Sequence, residues 1–164
     1  MYHSDSIISA CKLYRYTLSR IWNRELSYVL FIMLNPSTAD ASKDDQTIKR
    51  CISFSKDWGY GGISVVNLYP YRSTDPKTLL KVDNPLGFKN KQYIENLSQN
   101  AGIIICAWGN YSIISKLNRK YPDYAPLDNI QKDLHCLKLS KNATPIHPSR
   151  LPKHLNPILF KKYE

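Results

Sequence analysis

Four short polar segments carry the side chains that could do chemistry, and each follows an apolar run. The segments are Asn35-Pro-Ser-Thr38, Asn67-Leu-Tyr69, Trp108-Gly-Asn110 and His147-Pro-Ser-Arg150. An asparagine amide places a donor beside an acceptor, which matches the hydrogen-bonding edge of a nucleic-acid base. A histidine can donate to an oxygen on which negative charge develops, and an aromatic ring can stack on a base. Taken singly, each feature also fits a turn, a loop residue or a packing ring.

The elements that position these segments follow from the apolar runs. The run Val29–Leu34 ends before Pro36 and predicts a strand buried on both faces of a parallel sheet. Further apolar runs at 63–66, 103–107 and 134–139 alternate with stretches of helical period, which predicts repeated β-loop-α units with helices on both faces of the sheet. The carboxyl ends of parallel strands meet at one rim, where ligands bind. We therefore expect the four polar segments to converge there.

The flanking segments predict further elements. The alternation at 12–22 predicts a half-buried strand at the sheet edge, antiparallel to the others. The first helix is expected to begin at Asp44 or Asp45, either of which can cap it, and to end near Trp58 and Gly59. Helices are also expected at 90–99 and 111–121. Residues 1–11 are expected to form a loosely held terminus, and residues 153–164 a basic tail that docks as a short helix.

Length and charge narrow the class of protein. A chain of 164 residues that is 43% hydrophobic favours a single domain spanning residues 1–164. The formal charge of +10 indicates either a polyanionic partner such as nucleic acid or a merely basic soluble protein, and charge alone does not decide between them. No apolar run approaches the ~20 residues that span a bilayer, and the polar start lacks a secretory apolar region. We therefore expect a cytoplasmic protein with no membrane partner.

The cysteines predict no cofactor. Cys11, Cys51, Cys106 and Cys136 are widely separated, and no pair has the spacing of metal ligands. Buried free thiols are the favoured interpretation. The alternative is an iron–sulfur or zinc site assembled from all four in three dimensions. We expect neither metal nor cofactor.

The motifs, in this order, resemble those of the uracil-DNA glycosylase superfamily. The segment Leu34-Asn-Pro-Ser37 is similar to the first motif of the mismatch-type and single-strand-type members. The segment His147-Pro-Ser-Arg-Leu151 is similar to the second motif, and Ile105-Cys-Ala-Trp-Gly109 to the strand and turn that precede it.

A closer resemblance covers about residues 13–152. The string Met33-Leu-Asn-Pro-Ser-Thr-Ala-Asp40, with Asp45-x-Thr47 and the later Trp-Gly-Tyr and Asn-Leu pieces, resembles a small bacterial domain family of unknown function. That family occurs in phages and mobile genetic elements.

The glycosylase resemblance implies a fold and a division of roles. The fold would be α/β, a three-layer αβα arrangement around a four-stranded, mainly parallel sheet, here with an extra N-terminal antiparallel edge strand. Asn35 would position the water that attacks the sugar, and His147 would stabilise the departing base as an oxyanion. Asn67 would read the flipped base, in a pocket that also contains Ser37 and Tyr69.

The resemblance also implies a DNA-binding turn. Ser149 would hold phosphate or backbone, Arg150 would enter the groove, and Leu151 would act as a wedge that replaces the extruded base.

The sequence departs from the glycosylase pattern at three places. The most active uracil-specific members have aspartate where this chain has Asn35. They have tyrosine in place of Ser37, and that tyrosine excludes the thymine methyl group, so the pocket here would be less selective. Neither Tyr69 nor Tyr71 stands where the family keeps its stacking ring.

Three functions are compatible with these features. The first is DNA repair by a metal-independent, monofunctional DNA glycosylase, a hydrolase that excises a uracil-like base. The second is a catalytically inactive pseudo-glycosylase that binds DNA, or that binds an acidic DNA-mimicking glycosylase inhibitor. The third is a nucleotide- or nucleoside-processing enzyme that uses the carboxylates of Asp40 and Asp45, although Asp44 and Asp45 also suit helix caps. The motifs leave the base, the strandedness of the substrate and the oligomeric state open.

Overall fold

The computed structural model describes residues 2–164, and its elements follow the hydrophobic pattern of the chain. The strands are β1 (His3–Ile8), β2 (Arg15–Ile21), β3 (Tyr28–Met33), β4 (Gly62–Asn67), β5 (Ile103–Cys106), β6 (Leu134–Cys136) and β7 (Ile158–Lys161). The helices are α1 (Gln46–Asp57), α2 (Asn90–Asn100) and α3 (Tyr111–Lys120), with short 3-10 helices at Pro76–Leu80 and Pro148–Arg150. Every predicted strand and helix between residues 12 and 139 is present, with ends shifted by up to three residues.

The strands form one mixed sheet in the order β1-β2-β4-β3-β5-β6-β7. Its centre is the predicted parallel group, in which β4, β3, β5 and β6 are neighbours. Antiparallel strands flank this group, with β2 and β1 on one side and β7 on the other. The sheet is therefore larger than the expected four strands and one edge strand.

Both ends of the chain differ from expectation. The segment predicted to be a loose terminus forms β1 from His3 to Ile8, while Met1 lies outside the described residues. Because β1 pairs with β2, the strand at 12–22 is antiparallel as predicted but is not the edge strand. The tail predicted to be helical forms β7, which pairs with β6. Both additions are held mainly by backbone hydrogen bonds, which side-chain periodicity does not report.

The core lies on both faces of the sheet. Along β3, Leu30 and Ile32 belong to one apolar cluster, whereas Val29 and Phe31 belong to the other. Residues of α1 pack in the second cluster, and residues of α2 and α3 pack in the first. Helices therefore cover both faces, as the continuous apolar run of β3 predicted.

The ends of α1 are set by local residues. Oδ1 of Asp45 accepts a hydrogen bond of 2.9 Å from the backbone N–H of Ile48, which makes Asp45 the N-cap. Asp44, the alternative cap, instead pairs with Arg20. The helix ends at Asp57 with Trp58 as its C-cap, and Gly59 follows with φ of 82°, a left-handed conformation that glycine adopts without strain. Both predicted ends of this helix are confirmed.

The cysteines are free thiols. Cys51, Cys106 and Cys136 are buried as predicted, and Cys11 is exposed. Within residues 2–164, no three histidine, cysteine, aspartate or glutamate side chains form a group that could hold a metal ion. The four-cysteine site therefore has no counterpart in the described chain.

The helices of the described chain are short. The longest, α1, has 12 residues. None of the helices within residues 2–164 is long and apolar enough to cross a membrane.

Candidate functional site

Loops from neighbouring strands meet at the carboxyl rim of the parallel group. β4 and β5 lie on opposite sides of β3, and such a change of direction opens a crevice beside the central strand. The N–H of Tyr69 donates to the carbonyl oxygen of Leu34 at 2.9 Å, which joins the loops after β3 and β4. The N–H of Gly109 donates to the carbonyl oxygen of Pro145 at 2.9 Å, which joins the loops after β5 and β6. The polar segments thus come together in pairs.

A cleft of about 680 Å³ opens beside the loops after β5 and β6. Lys138, Arg150 and His147 line it, together with the ring of Tyr111, a residue that is 52% exposed. Within the described residues, no aspartate or glutamate lines this cleft, and most of its other walls are proline, hydroxyl and amide residues. Its volume lies in the range of ligand sites. The charge of its walls suits an anionic ligand.

The hydrogen bonds of His147 fix its tautomer. The backbone N–H of Ser149 donates to Nδ1 of His147 at 3.3 Å, and Oγ of Ser149 lies 2.7 Å from the same nitrogen. A backbone N–H can only donate, so Nδ1 accepts and the neutral ring carries its proton on Nε2. Nε2–H is therefore the donor that His147 can offer to a ligand.

The surroundings of His147 favour the neutral ring. Burial of the imidazole lowers its pKa below the ordinary value of 6.5, and the positive charge of Arg150 lowers the pKa further. The carboxylate of Asp45 opposes both effects. At pH 7 the ring is uncharged and donates through Nε2.

The amide of Asn35 is oriented by the loop that follows β4. Its Nδ2 donates to the carbonyl oxygens of Ser73 at 2.9 Å, Pro36 at 3.2 Å and Tyr71 at 3.4 Å. Only the nitrogen of the amide can make these contacts, so Oδ1 points the other way. Oδ1 is not among the buried unpartnered atoms of the described residues and accepts no hydrogen bond from them. It can therefore accept a hydrogen bond from water.

Asn35, Ser37 and Asn67 do not line the cleft that contains His147. Asn67 pairs with Met33 across the ladder, so its side chain points to the face of the sheet that α1 covers. Asn67 is 1% exposed, and within residues 2–164 its Nδ2 has no hydrogen-bond partner. An unpartnered buried donor costs stability unless a ligand or water satisfies it. Ser37 is half-buried in the loop after β3.

Tyr69 is a core residue. It is 2% exposed, and its ring lies 5.3 Å from that of Tyr124 in the cluster that α2 and α3 cover. Burial raises the pKa of its phenol to about 12, so the group stays neutral. Asn67 and Tyr69 thus point to different sides of the sheet, and the ring would have to leave the core to stack on a base.

Of the three DNA contacts predicted in the turn after β6, two residues are exposed and one is buried. Ser149 and Arg150, in the 3-10 helix Pro148–Arg150, are exposed. Leu151 is 5% exposed and packs in the cluster beneath α1. Nη2 of Arg50 donates to its carbonyl oxygen and fixes this placement. Leu151 is therefore not presented as a wedge unless the turn opens.

Arg15 is a buried cation whose position the sequence did not indicate. It is 3% exposed, its Nη1 donates to the carbonyl oxygen of Ala39 at 2.8 Å, and its Nε has no partner within residues 2–164. Burial lowers the pKa of the guanidinium to about 10, still far above neutral pH. A bulge in the β1–β2 pairing opposite Tyr16 breaks the alternation along β2. Arg15 therefore places a positive charge beneath the loop after β3.

Tyr111 and Lys138 were also missed as cleft residues. Tyr111 begins α3 immediately after the polar segment at 108–110, and Lys138 follows the end of β6. Each stands directly beyond the carboxyl end of a strand or its loop, and that position is the signal that could have found them.

The aspartates after β3 have structural contacts. Oδ1 of Asp40 accepts from the backbone N–H groups of Ser42 at 2.8 Å and Lys43 at 2.9 Å, which closes a turn. These hydrogen bonds lower the pKa of the Asp40 carboxyl. Asp44 is ion-paired and Asp45 caps α1. These contacts favour the structural interpretation of all three carboxylates.

Fold and rim together define a mixed α/β protein with a basic cleft at the carboxyl edge of its parallel strands. Residues 15–149 match the family described as a protein of unknown function, DUF1643, and the chain belongs to that family. The predicted resemblance of most of the chain to a family of unknown function is thus confirmed. No curated protein and no solved structure matches the chain.

Proposed function

We propose that this chain is a uracil-DNA glycosylase-like protein that binds DNA and excises a flipped, uracil-like base by hydrolysis of the N-glycosidic bond. The observation that carries the proposal is the fixed tautomer of His147, a neutral imidazole whose Nε2–H is free to donate at a basic cleft.

His147 would act on the departing base. As the bond between C1′ of the sugar and the ring nitrogen breaks, its electron pair leaves with the base and charge spreads onto a carbonyl oxygen. A donor held by the protein stabilises that oxygen in the transition state more than in the substrate. A neutral imidazole donates a hydrogen bond and keeps its proton throughout the reaction. His147 therefore needs no reprotonation after each turnover.

Asn35 would act on the water. An oxocarbenium-like sugar is electrophilic enough to react with water without a strong base. Oδ1 of Asn35 can accept a hydrogen bond from that water because Nδ2 is held by three carbonyl oxygens. The water oxygen bonds to C1′, and its proton neutralises the base anion. Asn67 has no role in this scheme, because its side chain is buried on the face covered by α1 and does not line the cleft.

The basic cleft would bind the DNA backbone. Arg150 and Lys138 line it without a carboxylate to neutralise them, and the formal charge of the whole chain is +10. Contacts of this kind to phosphate make binding depend steeply on salt.

A catalytically inactive protein of the same fold is the second candidate. The amide at position 35, the burial of Tyr69 and the burial of Leu151 all favour it. Such a protein would bind DNA, or an acidic protein that mimics DNA, through the same cleft.

Release of base from defined oligonucleotides tests the proposal. The substrates carry uracil, a thymine mismatch or a deaminated purine. Loss of the His147 donor in His147→Ala is expected to lower the rate of release at least ~100-fold, and Asn35→Ala is the parallel variant. His3→Ala is the matched control, because His3 lies in β1 at the far edge of the sheet. Absence of release by a protein that still binds DNA would leave the inactive form as the function.

A further inference from the structure

We propose that the DNA taken by this cleft is single-stranded, with Tyr111 stacking on a base next to the target nucleotide. The inference rests on the proposed function, and it names the form of the substrate. Three features carry it: the buried Leu151, the exposed ring of Tyr111, and the distribution of charge in the cleft.

The turn at the cleft lacks an exposed wedge. Proteins that extrude a base from a duplex insert an apolar side chain into the gap, because unstacking and unpairing cost a few kcal/mol. The apolar residue of this turn, Leu151, is 5% exposed and packs beneath α1.

Hydrogen bonds hold this turn closed. Arg50 donates to the carbonyl oxygen of Leu151, and the N–H of Leu151 donates to that of Pro148 at 3.2 Å. The residues that the turn does expose, Ser149 and Arg150, are polar. A base that is already unpaired needs no wedge.

Tyr111 offers a platform for a base. It is 52% exposed, and it lines the same cleft as His147. Stacking of a base on an aromatic side chain contributes about 1–3 kcal/mol and does not depend on which base it is. In a duplex the faces of neighbouring bases are already stacked on one another, so a single strand gains more from such a ring.

The cleft combines two cations with polar groups, as a site for one nucleic-acid strand requires. Lys138 and Arg150 supply the cations, and Ser140, Asn142 and Thr144 add hydrogen-bonding groups. A concave cleft of about 680 Å³ has the size of a site for a small ligand, and a nucleotide falls in that class. Reading of a duplex groove instead uses a helix or ribbon that protrudes.

Binding of one labelled oligonucleotide, alone and annealed to its complement, tests the inference by fluorescence anisotropy over a salt series. We expect the single strand to bind roughly 10-fold or more tightly than the duplex. Tyr111→Ala should weaken single-strand binding roughly 10-fold, and Tyr111→Phe should retain it because the ring remains. Lys138→Ala should reduce the salt slope by about one.

Phe88→Ala is the matched control. Phe88 is 89% exposed, precedes α2 and does not line the cleft. This variant should bind the single strand as the wild type does. If Phe88→Ala instead weakens duplex binding, Phe88 is a wedge and the inference is overturned.

The remaining outcomes separate the inference from the proposed function. Equal or tighter binding of the duplex, or unchanged binding by a folded Tyr111→Ala, would overturn the single-strand inference and leave DNA binding intact. Absence of binding to both forms at low salt would instead overturn the proposed function itself, and the inference with it.

Discussion

Nε of Arg20 lies 2.8 Å from Oδ1 of Asp44, and this ion pair ties β2 to the loop before α1. The side chain of Arg20 is 2% exposed, so loss of Asp44 would leave a buried guanidinium without its carboxylate. We expect Asp44→Ala to lower the free energy of unfolding by about 2 kcal/mol, because the carboxylate itself is partly exposed and the effect falls below that of a fully buried pair. Urea denaturation measures it.

An exposed contact between a histidine and a carboxylate provides the comparison. His154 and Asp57 lie 2.9 Å apart, with side chains 78% and 40% exposed. Asp57→Ala should cost less than about 0.5 kcal/mol, since water screens such a pair. Equal losses in the two variants would show that burial of Arg20 does not decide the effect.

Substitutions of Asp45 distinguish a role as helix cap from a role as catalytic acid. An asparagine side chain can also accept the N–H of Ile48, so Asp45→Asn should keep the free energy of unfolding within about 0.5 kcal/mol, whereas Asp45→Ala should lower it by about 1 kcal/mol. Denaturation curves of both variants give these values. Loss of base release in a stable Asp45→Asn would show that the carboxylate takes part in that reaction in addition to capping α1.

The pKa of His147 predicts a pH dependence. Burial and Arg150 lower the folded-state pKa below 6.5, so the unfolded chain takes up the proton first as the pH falls. The contribution of the neutral ring to stability is therefore complete above about pH 6.5, and is lost as the pH falls through the folded-state pKa. His147→Gln should remove this part of the acid dependence.

Titration of the imidazole by NMR measures the shift directly. Arg150→Ala should raise the pKa of His147 towards its ordinary value, because the second cause of the shift is removed. A pKa at or above 6.5 in the wild type would contradict the buried neutral ring.

The hydrogen bonds of Asn35 lead us to expect that aspartate at this position lowers the free energy of unfolding. Nδ2 donates to three carbonyl oxygens, and a carboxylate oxygen in its place would face three acceptors. We expect Asn35→Ala to lower the free energy of unfolding by about 1 kcal/mol and Asn35→Asp by about twice that at pH 7. Denaturation measures both.

The direction in which the stability of Asn35→Asp changes with pH tests whether the carboxylate causes the loss of stability. A protonated carboxyl can donate to the carbonyl oxygens, so the folded-state pKa of the aspartate in Asn35→Asp should be raised. Its stabilising contribution should then be present at low pH and lost as the pH rises through that raised pKa. An Asn35→Asp variant as stable as the wild type at pH 7 would contradict the role of Nδ2.

The parallel centre of the sheet was predictable because strands buried on both faces consist almost entirely of apolar residues. Val29–Leu34 is apolar on both faces, since its alternate residues enter two different clusters. The period of α1 and the residues at its two ends were equally local signals. The positions of Asn35 and His147 at the ends of strands or in the following loops were predictable in the same way, because Asn35 ends an apolar run and His147 lies in the loop after the fourth such run.

The features that sequence reasoning missed depend on distant partners. β1 alternates exposed and half-buried residues and gains its order from the backbone of β2. The spacing of Leu155, Ile158 and Leu159 favours a helix, whereas the run 158–160 also suits a strand, and pairing with β6 decides for the strand. Nothing near Asn35 in the sequence indicates that its amide holds Tyr71 and Ser73.

The three carbonyl oxygens around Asn35 also bear on how this family could evolve. One nucleotide change in the codon would convert Asn35 to aspartate. That change carries a folding cost at neutral pH, because a carboxylate would face the three carbonyl oxygens that Nδ2 now contacts. A lineage that acquired aspartate there would have to change the segment at 71–73 as well, so the contacts of Asn35 restrict which residues position 35 accepts without loss of stability.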